Sequence, residues 1–176
     1  TQHDDGCWYD NHGTQCHPKL GGYVEGTTGN DVIDYNYTGD PEGDKIDHND
    51  AVLGNAHSND DIVYAYGGND TVLAGAGNDL VYGGTGNDNL SGQDGNDTVY
   101  GDNGSDTMSG GAGNDVLYGG PDGDTIYGGA GSDLVDGGAG NDLIDTSNSL
   151  QSPDIGYPGL YPADSAPNDD KDTIVG

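Results

Sequence analysis

The stretch GGAGNDVLY, Gly110 to Tyr118, is one copy of a nine-residue unit that recurs through the middle of the chain. Stepping back from Asp115 by nines meets Asp106, Asp97, Asp88, Asp79, Asp70 and Asp61, and stepping forward meets Asp124, Asp133 and Asp142. Two residues after each aspartate stands Val63, Val72, Val81, Leu90, Val99, Met108, Leu117, Ile126, Val135 or Ile144, every one aliphatic or Met. Consecutive copies in one phase across residues 56–145 are the mark of a repeat architecture, in which no unit buries its apolar side alone and stacking supplies the core.

The chemistry of the unit follows from its two halves. Positions one to six are mostly G-G-x-G-x-D, a turn in which glycine admits positive φ and close backbone approach to a ligand. Such turns aim main-chain carbonyl oxygens inward, and the short aspartate side chain adds its carboxylate to the same cavity. A cage of carbonyl and carboxylate oxygens suits a hard cation of flexible coordination, calcium ahead of magnesium or zinc. Positions seven to nine are x-U-x with U apolar. In a three-residue strand, alternation turns position eight inward and positions seven and nine outward.

Composition narrows the partners. Of 176 residues, 35 are glycine and 32 are acidic, and the only bases are Lys19, Lys45 and Lys171, for a net charge of −29. Nucleic acid is excluded as a direct partner because phosphate affinity comes from Lys and Arg. An anionic membrane surface repels the chain, and no membrane insertion is expected. Acidic, glycine-rich, apolar-poor chains ordinarily stay disordered; the strict period displaces that reading here.

The ten copies resemble the RTX family, the haemolysin-type repeats with the consensus G-G-x-G-x-D-x-U-x. The resemblance implies an all-β fold, a right-handed parallel β-roll with two repeats per turn, so that repeats n and n+2 stack on one edge with calcium between them. The aspartates then pair as Asp61 with Asp79, Asp70 with Asp88, and onward to Asp124 with Asp142. That makes eight pairs, and about eight calcium ions. The implied side-chain ligands are Asp61, Asp70, Asp79, Asp88, Asp97, Asp106, Asp115, Asp124, Asp133 and Asp142. The implied carbonyl ligands are those of Gly83, Thr85, Gly92, Asp94, Gly101, Asn103, Gly110, Ala112, Gly119, Gly128 and Ala130. Asn59 and Asp122 depart from the consensus at position four, as do Ala56, Ala65 and Ala74 at position one. Divalent ions set between rows of carboxylates cancel their mutual repulsion, so binding free energy becomes folding free energy.

The flanks are less regular. Residues 24–55 read as degenerate repeats. GTTGNDVID, Gly26 to Asp34, fits the consensus and supplies Asp31 as a ligand, whereas Asp44 and Asp50 fall out of phase. An irregular extension of the roll is expected there. Residues 146–168 lose the repeat, carry four of the seven prolines, and read as a loop insertion. The pattern resumes over 169–176, with Asp172 as a further ligand. A roll that stops inside a repeat invites a head-to-tail neighbour to continue it. Residues 1–23 are expected to cap the first rung around Trp8 and Tyr9. Cys7 and Cys16 there point to a disulfide outside the cell; a zinc site with His3, His12 and His17, or reduced thiols, are the alternatives.

No H-E-x-x-H, G-x-S-x-G or phosphate-binding glycine loop is present, and no enzyme activity is expected. The outward positions divide by sheet. One face carries Tyr64, Tyr82, Tyr100 and Tyr118, with Ile62, Leu80, Thr98, Val116 and Leu134. The other carries Thr71, Asn89, Thr107 and Thr125, with Ser91 and Ser109. The tyrosine row reads as a docking face, although Tyr and Val are also simply good strand residues. Three functions fit: a secreted or cell-surface structural protein that assembles or coats on binding calcium, the secretion-and-folding module of a larger enzyme or toxin, and a module binding surface polysaccharide.

Overall fold

The computed structural model describes residues 23–40, 45–46 and 59–146, together with the backbone of three further short strands. The strands are β1 (Cys7–Tyr9), β2 (Cys16–Pro18), β3 (Val24–Glu25), β4 (Val32–Ile33), β5 (Ile62–Tyr64), β6 (Thr71–Leu73), β7 (Leu80–Thr85) and β8 (Asn89–Asp94). They continue with β9 (Thr98–Asn103), β10 (Thr107–Ala112), β11 (Val116–Pro121), β12 (Thr125–Ala130), β13 (Leu134–Ala139), β14 (Leu143–Asp145) and β15 (Thr173–Val175). The odd-numbered strands from β3 to β15 form a seven-stranded sheet, and the even-numbered strands from β4 to β14 a six-stranded one. Both are parallel, and in the regular part each strand pairs with the strand two repeats away, as in Val81 with Val99 and Leu90 with Met108. This is the parallel β-roll that the resemblance to RTX repeats implies.

The core is one side chain thick per strand. Val63, Val72, Val81, Leu90, Val99, Met108, Leu117, Ile126, Val135 and Ile144 are all buried, and Val24 and Ile33 extend the two rows by one rung. Strands β7 to β13 are six residues long, twice the three expected from x-U-x, whereas β5, β6 and β14 keep to three. In β7 and β9, pairing runs on through Gly84 with Asp102 and Thr85 with Asn103, so the backbone ladder continues into the first half of the turn. Position two of the turn also needs positive φ, which even Tyr66, Gln93 and Asp102 adopt there.

Outside the repeats the register changes. Val24 pairs with Val63 and Ile33 with Val72, an offset of 39 residues in place of 18. Twenty-one extra residues therefore lie between β4 and β5. Val135 pairs with Ile174, which repeats that offset between β14 and β15. Both excursions leave the six-stranded sheet and return to the seven-stranded one. Gly26 to Asp34 thus makes one regular rung; of the segment beyond Asp34, residues 41–44 and 47–58, expected to be degenerate repeats, lie outside the described residues. Asp44 and Asp50 lie outside the described residues.

The described start of that first excursion closes the amino-terminal end of the roll. Tyr37 and Ile46 are buried in the core with Val24 and Ile33. β3 is the edge strand, and its outward groups would be open to pairing with another chain. The Glu25 N–H instead donates to Asp40 Oδ2 at 2.8 Å, and the Tyr37 hydroxyl donates to the Glu25 carbonyl at 3.1 Å. β1 and β2 form an antiparallel pair with Cys7 opposite Pro18 and Tyr9 opposite Cys16. The side chains of Cys7 and Cys16, and the expectations of a disulfide or a zinc site with His3, His12 and His17, lie outside the described residues, as do Asp172 and most of the proline-rich insertion.

Candidate metal centre

The repeat aspartates sit at position six, where each turn meets the next strand. Those from Asp61 to Asp133 are buried. Each expected pair is joined by one kind of bond: the main-chain N–H of the earlier aspartate donates to Oδ1 of the later one at 2.7–3.0 Å, from Asp61 with Asp79 to Asp124 with Asp142. Asp31 makes the same bond to Asp70 at 2.7 Å, which adds a ninth link. Both carboxylate rows therefore run along the roll axis with Oδ1 engaged.

The other oxygen is what points to a ligand. Oδ2 of Asp70, Asp88, Asp97, Asp106, Asp115 and Asp124 is buried and accepts no hydrogen bond. Native proteins seldom leave such groups without a partner, and each instance calls for an explanation such as an ion. The space beside these atoms is shaped by the glycine at position one. A β-carbon on Gly101 would stand 2.6 Å from Asp106 Oδ2 and 2.6 Å from the carbonyl oxygen of Gly119 on the adjacent turn; one on Gly83 would stand 2.8 Å from Asp88 Oδ2 and 2.8 Å from the Gly101 carbonyl. The same pairing of a carboxylate with a next-turn carbonyl occurs beside Gly110, with Asp115 and Gly128, and beside Gly119, with Asp124 and Gly137. At these four positions glycine leaves that room, whereas Ala65 and Ala74 stand buried at the same position of two earlier repeats; calcium takes oxygen ligands at about 2.3–2.6 Å.

The carbonyls divide into two sets. Those of Thr85, Asp94, Asn103, Ala112 and Ala130 already accept N–H groups from Gly68, Gly77, Gly86, Gly95 and Gly113 of the preceding turns at 2.7–2.9 Å. Each keeps a second lone pair. Those of Gly83, Gly92, Gly101, Gly110, Gly119 and Gly128 belong to buried residues on the wall with the carboxylates. The Gly137 carbonyl belongs with them, although the repeat pattern did not single it out. Among the described residues no three Asp, Glu, His or Cys side chains converge on one point. A cation held here must therefore take much of its shell from the backbone, which suits a hard ion.

A second ladder went unread in the sequence. Asn30, Asn69 and Asn87 accept through Oδ1 the N–H groups of Asn69, Asn87 and Ser105, and Asn78, Asn96 and Asn114 do the same for Asn96, Asn114 and Ser132. The signal was the Asn that precedes the repeat aspartate in most copies. These bonds fix the spacing of the turns on which the metal cavity depends.

Burial raises the aspartates' affinity for protons. Asp106 is pushed up to about 7, and Asp70, Asp97 and Asp115 to about 6, chiefly by loss of solvation; neighbouring carboxylates add to the rise, and the N–H bond from the preceding turn opposes it. A carboxyl raised in the folded state stabilises the metal-free roll only as pH falls through that value, and disfavours it above. Protons and a cation compete for the same oxygens. The cation concentration at half-folding should therefore stay level above about pH 7 and drop as pH falls through 6, where protons begin to stabilise the roll in the cation's place. Circular-dichroism titrations at several pH values test this, and a midpoint indifferent to pH would count against the assignment of these carboxylates.

The outer faces differ from expectation in one respect. Tyr64, Tyr82, Tyr100 and Tyr118 stand in one row on the seven-stranded sheet, but they are half-buried. The exposed large apolar side chains Val32, Leu73, Tyr127 and Leu143 lie on the six-stranded sheet, toward the ends of its Thr/Asn/Ser face. Stacking explains this, because each ring of the row covers its neighbour: centroids are 4.9–5.0 Å apart and planes within 3–11°.

A family model described as the RTX calcium-binding nonapeptide repeat, in four copies, matches residues 55–81, 82–117 and 118–148, together more than half of the chain. No curated protein and no solved structure matches it.

Proposed function

The chain belongs to the RTX calcium-binding nonapeptide repeat family, and from that premise we propose that it is a secreted structural protein whose roll is switched on by extracellular calcium. As a member it is a calcium-binding β-roll module. The supporting observation is the buried Oδ2 without a hydrogen bond, set beside a next-turn carbonyl in the space left at Gly83, Gly101, Gly110 and Gly119. The residues that would hold calcium are the repeat aspartates from Asp61 to Asp142, through Oδ2, and the position-one carbonyls; Asp31 differs, since its Oδ2 accepts the Thr27 N–H at 2.6 Å and the Thr27 hydroxyl at 2.8 Å. The position-three carbonyls would serve through their remaining lone pair. The nine aspartate links put the number of sites at about nine, one more than the repeat count alone implies. Calcium supplies the positive charge that these carboxylates lack.

Extracellular modules bind calcium at about 10⁻⁴–10⁻³ M, far above cytosolic levels. The chain would stay unfolded where it is made and fold once exported. Among the described residues no helix is long and apolar enough to cross a membrane. Head-to-tail assembly through the β3 edge would have to displace Asp40 and Tyr37 from Glu25, so this end favours a finished roll over a continuing one.

Asparagine substitution tests the site. Asp97 links two turns, accepting from Asp79 and donating to Asp115, whereas Asp142 closes its row with a single link to Asp124. Asparagine keeps the Oδ1 acceptor and puts an amide donor where the cation would sit. Solenoid stability is a sum of nearest-neighbour terms. Asp97→Asn should raise the calcium midpoint about tenfold or more, as expected on losing a charged ligand, and Asp142→Asn should raise it less. Equal midpoints would refute the shared-site model.

A further inference from the structure

The metal chemistry leaves one outer surface unused. We propose that the tyrosine row of the seven-stranded sheet binds a linear, uncharged β-1,4-linked glycan lying along the roll axis, one sugar unit to each rung.

Three observations carry this. First, the rings of Tyr64, Tyr82, Tyr100 and Tyr118 cover one another, so a ligand cannot stack on their faces along the row. What the row offers is ring edges and hydroxyl groups, one set per rung. Second, that offer repeats every 4.9–5.0 Å. A ligand that keeps phase with the row must repeat its same-side groups at this step or a whole multiple of it. An extended β-1,4-linked pyranose chain advances by nearly this length per unit, and, because successive units are flipped, its same-side groups recur at every second rung. An extended peptide presents same-side groups every two residues, about 6.6–6.8 Å apart, and drifts out of phase within a few rungs. Third, acids close the row at both ends, because Glu25 pairs with Tyr64 and Asp136 with Tyr118. On a chain of net charge −29, they repel an acidic polysaccharide. The parallel row of Leu80, Thr98 and Val116 on the same face adds an apolar flank with a hydroxyl, suited to the mixed surface of a sugar.

The proposal rests on the calcium-folded roll, so the experiment measures folding and binding separately. Calcium-loaded protein, its β spectrum confirmed, is titrated calorimetrically with cello-oligosaccharides of increasing length. Affinity should climb with length up to about four units, one per tyrosine, and then level off. Tyr82→Phe and Tyr100→Phe keep the stack and remove one hydroxyl each. Each should weaken binding about two- to tenfold with the calcium midpoint unchanged. An intact roll that binds no oligomer, shows no dependence on length, or ignores both substitutions would overturn the proposal. Equal affinity for an acidic oligomer of the same linkage would do so too. Calcium-loaded dimers that these substitutions dissociate would assign the face to a second copy, and binding gained only on deleting 147–166 would assign it to that segment; either result overturns the glycan.

Discussion

Moved from millimolar calcium into chelator at neutral pH, the protein is expected to lose its β circular-dichroism signal as a whole. The six buried Oδ2 atoms that accept no hydrogen bond each carry the penalty of an unsatisfied polar group. At about 1–3 kcal/mol apiece, and more when charged, the total is about 6–18 kcal/mol or above. An ordinary domain has a net stability of only about 5–15 kcal/mol. This core, one apolar side chain per strand, has nothing in reserve to offset that difference. Nor can the turns release the carboxylates singly, since each Oδ1 is bonded to the amide of the preceding turn. Loss should therefore be cooperative along the stack. Calcium should restore the signal, and magnesium should restore it poorly, because it demands a near-ideal octahedron and gives up water reluctantly. A β spectrum that survived in chelator would show the roll to be self-sufficient and the cavity to be incidental.

Gly95→Ala should be the most damaging single substitution in the turns. Gly95 holds φ at +144°, where L side chains rarely go, and its added β-carbon would run into the carbonyl oxygen of Gly77 on the preceding turn. The Gly95 carbonyl in turn lies so close to Gly113 of the next turn that a β-carbon there would also run into it, so the stack is tight on both sides of Gly95. Strained φ costs about 1–3 kcal/mol and overpacking about another 1–3, so a loss of about 2–6 kcal/mol is expected. The clash matters more than the dihedral angle: Asp122 stands at the same repeat position with φ at 79°, in the left-handed region that aspartate tolerates. Gly123→Ala is the comparison, since its β-carbon meets only the Asn141 carbonyl at 3.0 Å and its φ is not positive. Thermal melts in saturating calcium should show a large fall in Tm for the first and a small one for the second. Similar melts would mean that the turns are looser than this stack allows.

The regular part of the fold was legible because a period of nine leaves little choice. Once Asp61 to Asp142 share a phase, the inward side chains follow; the resemblance to RTX repeats adds the alternation of sheets and the partner two repeats away, and the structure has each of them. What escaped was set by contacts rather than by period. Which aspartate oxygen bonds to the backbone, and which is left for a ligand, depends on the tilt of the turn. Continuation of the strands into positions one to three depends on turns pairing with one another, a stacking effect absent from any single unit. The closing role of Tyr37, Asp40 and Ile46 escaped because it comes from three-dimensional contacts that no repeat pattern records. The apolar exposure of Leu73 and Tyr127 was missed because the period makes the tyrosine row the conspicuous apolar feature, whereas stacking in fact hides much of each ring.

The offset of 39 residues on both ends of the roll has a consequence for how such a chain can change. The turns that lead from the six-stranded sheet to the seven-stranded one have twice absorbed twenty-one additional residues, and the pairing resumes in phase each time. The opposite edge, from Gly26 to Asp142, carries no interruption among its six turns. One edge is thus a place where foreign sequence can be grafted without disturbing the ladder, and the other conserves the uninterrupted spine. A lineage of such proteins could diversify by exchanging what hangs from the permissive edge, leaving the mineral-dependent scaffold behind it unaltered.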